Sequence, residues 1–277
     1  MPAFNHGKFV KDALVSVYNQ SYGEIELIIV DDCSTDNTLA VIQTVCDSPK
    51  FQRRFRRVSV FANDQNRGAH NALNVGLQAS NGEFITFINS DDIYLPSRLA
   101  NLSSLCRPDE IFIAFSKIKL IDEDGNPVEN HPLKKILEDI PEQLIKELPS
   151  ASFGFLRYQL TGSTGNIFLS RRLLNIIGGF SALKYCHDWD YMMRSISIIE
   201  PVFVPQEAYL YRIHSANSFS TLGSVALEES ERVLMDYFMR VASGQVQNKE
   251  APTPFNWPFV FDIIARRFEV YDTWIRV

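Results

Sequence analysis

Two adjacent carboxylates, Asp91 and Asp92, follow an apolar run at residues 84–88 and are well suited to chemistry. The run fits a strand that is buried on both faces, and in parallel sheets ligands bind beyond the carboxyl ends of the strands. Mg²⁺ prefers a few carboxylate oxygens together with substrate phosphates. The pair therefore predicts a site for a metal and a phosphate-containing ligand; the structural alternative is a cap for a helix that starts near Pro96.

The composition narrows the class of protein. The 277 residues are 45% hydrophobic and 22% charged, which indicates a globular chain with a sizeable core. A formal net charge of -6 argues against a nucleic-acid partner, so an anionic ligand needs a metal or a local basic patch. Four widely separated cysteines without a C-x-x-C pair are typical of packing residues in a reducing compartment. We find no transmembrane or signal pattern and expect a cytoplasmic protein.

The elements that position these carboxylates alternate through the first half of the chain. In order, we predict a helix over 9–17, a strand over 27–30, a helix that ends near 45, a strand over 58–61 and a helix over 69–79. The first of these strands ends at a second carboxylate pair, Asp31 and Asp32. Strands and helices in this alternation predict parallel βαβ units.

The second half has a mixed pattern. We predict a helix from 96 to about 106, a strand over 111–121, a helix over 138–148, a strand over 166–169, and helices over 171–177, 188–199, 225–241 and 259–275. A basic run at 53–57 is interpreted as a loop before a strand, with contact to an anionic membrane surface as the alternative.

Several motifs occur in a linked order. They are PAFN at 2–5, IIVDDCSTDNT at 28–38, NRG at 66–68 with NVGL at 74–77, GEFITFINSDD at 82–92, GGF at 178–180, HDWD at 187–190 and YRIH at 211–214. In order and spacing they resemble family 2 glycosyltransferases of the GT-A fold, over roughly residues 2–220. The resemblance implies an α/β fold with a mixed, mostly parallel central sheet flanked by helices.

The resemblance also implies an activity and its partners. The chain would transfer a sugar from a nucleotide-diphosphate sugar, which we expect to be UDP-linked, to an acceptor hydroxyl with inversion. The acceptor would be a saccharide or lipid-linked saccharide in polysaccharide or glycoconjugate biosynthesis, and contact with the inner face of a membrane is compatible with it. The alternative is a non-catalytic nucleotide-sugar-binding or scaffold module.

The donor side is assigned through the same resemblance. Asp32 would accept a hydrogen bond from an imino N–H such as that of uracil, and Asp91 would face the ribose or support the metal site. Asp92 is implied as a ligand of Mg²⁺ or Mn²⁺, with His214 as a further ligand or phosphate contact. Further residues implied to contact the donor are Pro2, Ala3, Asn5, Asn66 and Gly68.

Asp188 is implied as the general base. It matches the second residue of an acidic pair in the family, with His187 in place of the first acid. A carboxylate within hydrogen-bond reach of the acceptor hydroxyl can take its proton as the hydroxyl attacks. The alternative is that Asp188 caps a helix. Asp190, two residues further on, would support the base or compete with it.

Two departures from the family pattern bear on the fold. Family members have an apolar strand before the PAFN-like motif, whereas this chain starts at Met1, so the first strand is expected to be missing. Leu73 stands where many relatives have an arginine. We expect a domain over 1–220, with a nucleotide-sugar-binding half at 1–107 and an acceptor-binding half at 108–220, and a helical C-terminal extension at 221–277.

Overall fold

The computed structural model describes residues 1–107, 109–215, 217 and 223–277. Within these residues the strands are β1 (Pro2–Ala3), β2 (Glu26–Asp31), β3 (Arg57–Ala62), β4 (Phe84–Thr86), β5 (Ile93–Tyr94), β6 (Ile113–Ile121), β7 (Phe168–Ser170) and β8 (Val202–Arg212).

The α-helices are α1 (Val10–Tyr18), α2 (Thr38–Cys46), α3 (Pro49–Gln52), α4 (Ala69–Ala79), α5 (Arg98–Ser103), α6 (Pro132–Lys134), α7 (Ile140–Glu147), α8 (Ala151–Gly154), α9 (Arg171–Ile177), α10 (His187–Ile196), α11 (Gly223–Ala242), α12 (Val260–Arg267) and α13 (Tyr271–Ile275). A π-helical segment at Lys135–Asp139 joins α6 to α7. The predictions for α4 and α9 are confirmed to the residue. The helix expected over 259–275 is divided near Glu269, whose φ of 60° is incompatible with a continuous helix.

The strands form two sheets. The first has the order β1-β2-β3 and is parallel throughout, as expected for βαβ units. The second has the order β4-β7-β6-β8-β5 and is mixed, because β6 and β8 are parallel while the other neighbours are antiparallel. The expected mixed α/β architecture with a helical C-terminal region is confirmed.

A cavity lies beside the short pairing of β1 with β2. β1 pairs with β2 over two residues, with Pro2 opposite Val30 and Ala3 opposite Asp31. A cavity of about 360 Å³ lies beside this pairing and is lined by residues of β2, α4 and β4. Its walls are largely apolar and include Leu73, the residue that departs from the family pattern. No backbone ladder joins the two sheets within the described parts of the chain.

The strand β8 is not predicted from the sequence, although it lies inside the second sheet. Its register against β6 shifts between Ser116 and Lys117, which pair with Val204 and Glu207. Pro205 and Gln206 form the bulge between these pairs. Proline cannot donate a hydrogen bond to a ladder and occurs in strands at such irregularities. Because Pro205 interrupts the strand pattern, the sequence does not predict β8.

The C-terminal helices share a core with the second sheet. Tyr237 and Phe238 of α11 and Phe261 of α12 belong to one buried cluster with Phe115 of β6 and Tyr191 of α10. The expected boundary between residues 220 and 221 lies outside the described residues. Residues 223–277 therefore pack as part of the fold that carries the second sheet.

The basic run at 53–57 makes contacts within the chain. The Arg54 guanidinium donates to the carbonyls of Tyr18, Gln20, Tyr22 and Gly23. Arg57 pairs with Glu26 at 3.1 Å and Arg56 with Glu24. These contacts support the interpretation of the run as a loop before β3.

A buried polar network ties the second sheet to α5. Arg98 is fully buried and lies between the rings of Tyr94 and Tyr209. Its guanidinium donates to the Ser116 hydroxyl at 2.6 Å and to the side-chain oxygen of Asn166 at 3.0 Å. The Asn166 amide nitrogen in turn donates to the carbonyl of Ser116 at 2.7 Å. Asn166 therefore pairs several buried groups that would otherwise lack partners.

We predict that Asn166→Ala lowers the free energy of unfolding by about 3 kcal/mol, because it removes one acceptor from the buried Arg98 guanidinium and the side-chain donor to the buried Ser116 carbonyl. Urea denaturation followed by circular dichroism measures this change. The control is Asn101→Ala, which removes an exposed amide and should change stability by less than about 0.5 kcal/mol. Equal stability of the two variants would contradict the prediction.

Candidate active site

Asp91 lies between two histidines that come from distant parts of the chain. Its Oδ2 is 3.0 Å from Nε2 of His214 and 3.6 Å from Nε2 of His6. One potential ligand atom from each of the three residues lies within 4.8 Å of the others. The other oxygen of Asp91, Oδ1, is buried without a hydrogen-bond partner. Two imidazoles and a carboxylate around one point form a donor set that fits a divalent cation.

His6 precedes α1 and is held by contacts to the start of α2 and to the loop between β4 and β5. Its backbone N–H donates to the Thr38 hydroxyl at 2.8 Å, and its Nδ1 lies 2.8 Å from the hydroxyl of Ser90. Burial lowers the pKa of His6, and His214 lowers it further, although Asp91 opposes the shift. A neutral imidazole retains a lone pair for a metal. His6 was missed by sequence reasoning, because no local pattern marks it as a partner of Asp91.

Asp91 and Asp92 differ in charge although they are adjacent. Burial opposes the ionisation of Asp91, but the hydrogen bond from His214 and the charges of the two histidines lower its pKa overall. Burial, together with the charge of Asp91, raises the pKa of Asp92 well above its usual range. Asp91 is therefore the carboxylate that carries the negative charge of the pair.

Asp92 is enclosed by donors from the protein itself. Its oxygens accept hydrogen bonds from the Tyr209 hydroxyl, the backbone N–H of Arg212 at 2.9 Å and the Asn89 amide at 3.1 Å. Only 1% of its surface is exposed. These contacts tie the end of β8 to the loop after β4. The geometry therefore favours Asp91 over Asp92 as the metal ligand, and the role of His214, which lies 3.0 Å from Asp91, stays a prediction.

Asp32 organises the loop before α4. Its carboxylate accepts hydrogen bonds from the backbone N–H groups of Arg67 at 3.0 Å and Gly68 at 2.7 Å, and from the Asn63 amide at 2.7 Å. Asn66 contributes to the same loop, because its side chain accepts from the N–H of Gly68 at 3.2 Å. The structure thus brings together three of the predicted donor-side residues, and the contact of Asp32 with a base stays a prediction.

The segment after β1 is attached to the loop after β2. The carbonyl of Ala3 accepts from the N–H of Asp32 at 2.8 Å, next to Pro2 in the same strand. Asn5 has a φ of 54° and its side-chain oxygen accepts from the N–H of Thr35 at 2.8 Å. These bonds place the predicted residues 2, 3 and 5 beside Asp32.

Asp188 is the second residue of α10. Its Oδ1 accepts from the N–H of Trp189 at 2.7 Å, and burial raises the pKa of its carboxyl group above the usual 3.8. His187 beside it is neutral, because burial lowers its pKa, and its Nε2 lies 3.2 Å from the Thr164 hydroxyl. Asp188 therefore accepts from a backbone N–H in the first turn of α10, and its role as the base stays a prediction.

Asp190 has a different role from Asp188. Its carboxylate accepts from the hydroxyl of Ser181 at 2.7 Å and pairs with the guanidinium of Arg194 at 2.9 Å. Arg194 also donates to the carbonyls of Ile177 and Gly179, which flank Gly178 at the end of α9. These contacts make Asp190 a structural support rather than a competing base.

Ser163 and Thr164 link the carboxylate pair to the start of α10. The Ser163 hydroxyl accepts from the Asn89 amide at 2.9 Å, and the same amide donates to Asp92. The neighbouring Thr164 hydroxyl lies 3.2 Å from Nε2 of His187, the residue before Asp188. Hydrogen bonds therefore connect Asp92 to the segment at 163–164, and that segment contacts the start of α10.

The chain belongs to glycosyl transferase family 2, whose model matches residues 1–167. UDP-Glc:alpha-D-GlcNAc-diphosphoundecaprenol beta-1,3-glucosyltransferase WfgD of Escherichia coli is 29% identical over 125 residues, which cover 45% of this chain and 46% of that protein. The chain spans about half the length of the first curated relatives it matches, 49% and 48%.

Two solved structures share the fold. S. aureus TarS in complex with UDP-GlcNAc is similar with a TM-score of 0.57 and 19% identity, over 99% of this chain and 77% of that one. The mannosyltransferase PcManGT from Pyrobaculum calidifontis, in complex with GDP-Man and Mn²⁺, gives a TM-score of 0.61 and 17% identity over 98% and 67%. The GT-A fold expected from the sequence is confirmed. No helix in the described ranges is long and apolar enough to cross a bilayer.

Proposed function

We propose that this chain transfers a sugar from a nucleotide-diphosphate sugar, UDP-linked in our assignment, to an acceptor hydroxyl with inversion. The observation that carries the proposal is the group formed by His6, Asp91 and His214, which could hold a cation, in a chain of glycosyl transferase family 2. A single displacement on a nucleotide sugar requires such a group and a separate carboxylate as the base, for which we propose Asp188. The nucleotide sugars bound by TarS and PcManGT, and the lipid-linked substrate in the name of WfgD, support the choice of donor and acceptor classes.

In the proposed reaction, Asp188 accepts the proton of the acceptor hydroxyl. The hydroxyl oxygen forms a bond to the anomeric carbon while the bond from that carbon to the diphosphate breaks on the opposite face. The pair of electrons leaves with the diphosphate, and the configuration at the anomeric carbon is inverted. Asp91, His6 and His214 would hold a divalent cation, which when bound neutralises charge on the diphosphate.

The two halves of the chain divide this work. We propose that residues 1–107 bind the donor, through the loops that Asp32 organises and the segment after β1. Residues 108–220 would bind the acceptor and supply Asp188. A non-catalytic nucleotide-sugar-binding or scaffold module is the alternative function. Metal-dependent UDP binding without turnover of UDP-, GDP- or dTDP-sugars would support that alternative.

Asp188→Asn tests the base. We expect the turnover number to fall by about 100-fold or more, because the amide cannot accept the proton, while binding of UDP is unchanged. Donor consumption measures turnover and isothermal titration calorimetry measures binding. The matched control is Asp190→Asn, which we expect to lower stability through the lost pairing with Arg194. Wild-type turnover in Asp188→Asn would remove this residue from the mechanism.

The pH dependence gives a second test of Asp188. Its folded pKa is raised, so the base becomes protonated, and activity is lost, at a higher pH than the ordinary aspartate value of 3.8 would give. We therefore expect the turnover number at saturating donor and Mn²⁺ to rise with pH through an acid limb that lies above pH 3.8. A turnover number that stays constant down to pH 4 would contradict this assignment.

Asp91→Asn tests the metal site. We expect Mn²⁺ to bind at least about 10-fold more weakly, because one of the ligands loses its charge, and His6→Ala to act in the same direction. Asp92→Asn provides the comparison: it should lower the free energy of unfolding while Mn²⁺ affinity changes little. Titration calorimetry of the protein with Mn²⁺ and UDP distinguishes the two. Loss of Mn²⁺ binding in Asp92→Asn alone would instead support the sequence-based assignment of Asp92.

A further inference from the structure

The position of Asp188 depends on the turn that precedes its helix. Asp188 is the second residue of α10, and residues 184–186 lead into that helix. A helix start has backbone N–H groups without partners in the helix, and a side chain from elsewhere can supply the acceptors. No side-chain cap from Cys186, the residue at the cap position, serves this purpose.

Glu229 of α11 supplies acceptors for this turn: the N–H of Cys186 belongs to the cap position of α10, and those of Lys184 and Tyr185 precede the helix. Its Oε1 accepts from the N–H of Lys184 at 2.7 Å, and its Oε2 accepts from the N–H groups of Tyr185 at 2.8 Å and Cys186 at 2.9 Å. The carboxylate of Glu229 thus accepts hydrogen bonds from three consecutive backbone N–H groups. Glu229 itself lies more than 40 residues further along the chain. Bonds to a charged acceptor are stronger than those between neutral groups.

The charge of Glu229 is part of this contact. Burial opposes its ionisation, but the hydrogen bonds from Cys186, Lys184 and Tyr185 lower its pKa overall. A negative charge at the start of a helix is also favoured by the helix dipole. Glu229 is close enough to His187 to act on its pKa, in the direction that opposes the effect of burial.

A second contact joins the same two helices. The thiol of Cys186 lies 3.6 Å from the hydroxyl of Ser230 and 3.8 Å from the carbonyl of Ala226. Cys186 is buried in this contact. The turn before Asp188 is therefore enclosed by α11 from two directions, through its backbone and through the Cys186 side chain.

We propose that Glu229 is a positioning residue for Asp188: it holds the turn at 184–186 so that the carboxylate two residues beyond faces the acceptor hydroxyl. The proposal rests on the proposed function of Asp188 as the base. It assigns a part of the active site to the C-terminal helices, beyond residues 1–167 that the family model matches. Catalysis is sensitive to small displacements of a reacting group, and an error of 1 Å can cost about 100-fold.

Glu229→Gln tests the proposal, because the amide keeps the shape of the side chain but only one of its two polar atoms can accept. We expect the turnover number to fall by about 10-fold to 100-fold, while the KM for the donor and the affinity for UDP with Mn²⁺ change by less than about twofold. The acid limb of the turnover number should also shift, because the surroundings of Asp188 change. The matched control is Glu228→Gln at the exposed neighbouring position, which should behave as wild type.

The outcomes are separated by running Asp188→Asn in parallel and by normalising rates to the folded fraction. Wild-type turnover and an unshifted acid limb in Glu229→Gln, with Asp188→Asn inactive, would overturn the positioning role and leave the proposed function intact. Full turnover in Asp188→Asn would overturn both. A fall in rate that matches the loss of folded protein, with an unshifted limb, would show a structural role only and overturn the proposal. If Glu229→Gln does not fold, Glu229→Asp, which keeps the charge on a shorter side chain, is judged by the same readouts.

Discussion

Two adjacent carboxylates in a buried loop cannot both stay ionised without compensation, and much of the site is arranged around this constraint. Two charges a few ångströms apart in a low-dielectric setting repel strongly, and each also loses its hydration. The surroundings of the two carboxylates differ. Two histidines lie next to Asp91, whereas Asp92 accepts hydrogen bonds from a tyrosine hydroxyl, an amide and a backbone N–H. The charged member can thus face a cation, and the enclosed member ties β8 to the loop after β4.

The local part of the fold was predictable from the sequence. The amphipathic spacing of α4 and α9, together with clear start and end signals, predicts the first and last residue of both helices correctly. These signals lie within or next to the helices themselves. The strand β8 was not predictable in the same way. Its bulge at Pro205 interrupts the strand pattern, and its parallel pairing with β6 is set by contacts across almost one hundred residues. The division into two sheets around a cavity likewise depends on packing between β2, α4 and β4.

The candidate site shows the same distinction. Asp32, Asp91, Asp188 and His214 are predicted because each lies in a short motif, and the structure brings Asp91 and His214 into contact. The choice between Asp91 and Asp92 could not be made from the sequence, because it depends on which carboxylate meets donors from Asn89, Tyr209 and Arg212. No local sequence pattern marks Glu229 either. Its partners are backbone N–H groups of a turn that is distant in the chain, and such groups are not specific to any residue type.

The candidate metal site lies between the first and the second sheet. His6 follows the short strand β1 of the first sheet, whereas His214 follows β8 of the second, and Asp91 lies between them. No backbone ladder joins these sheets within the described residues, and His6 is held by its contacts to Thr38 and Ser90. A cation held by both histidines would itself connect the sheets. Such a cation would stabilise this arrangement of the two sheets, because a ligand that binds only the ordered arrangement stabilises it.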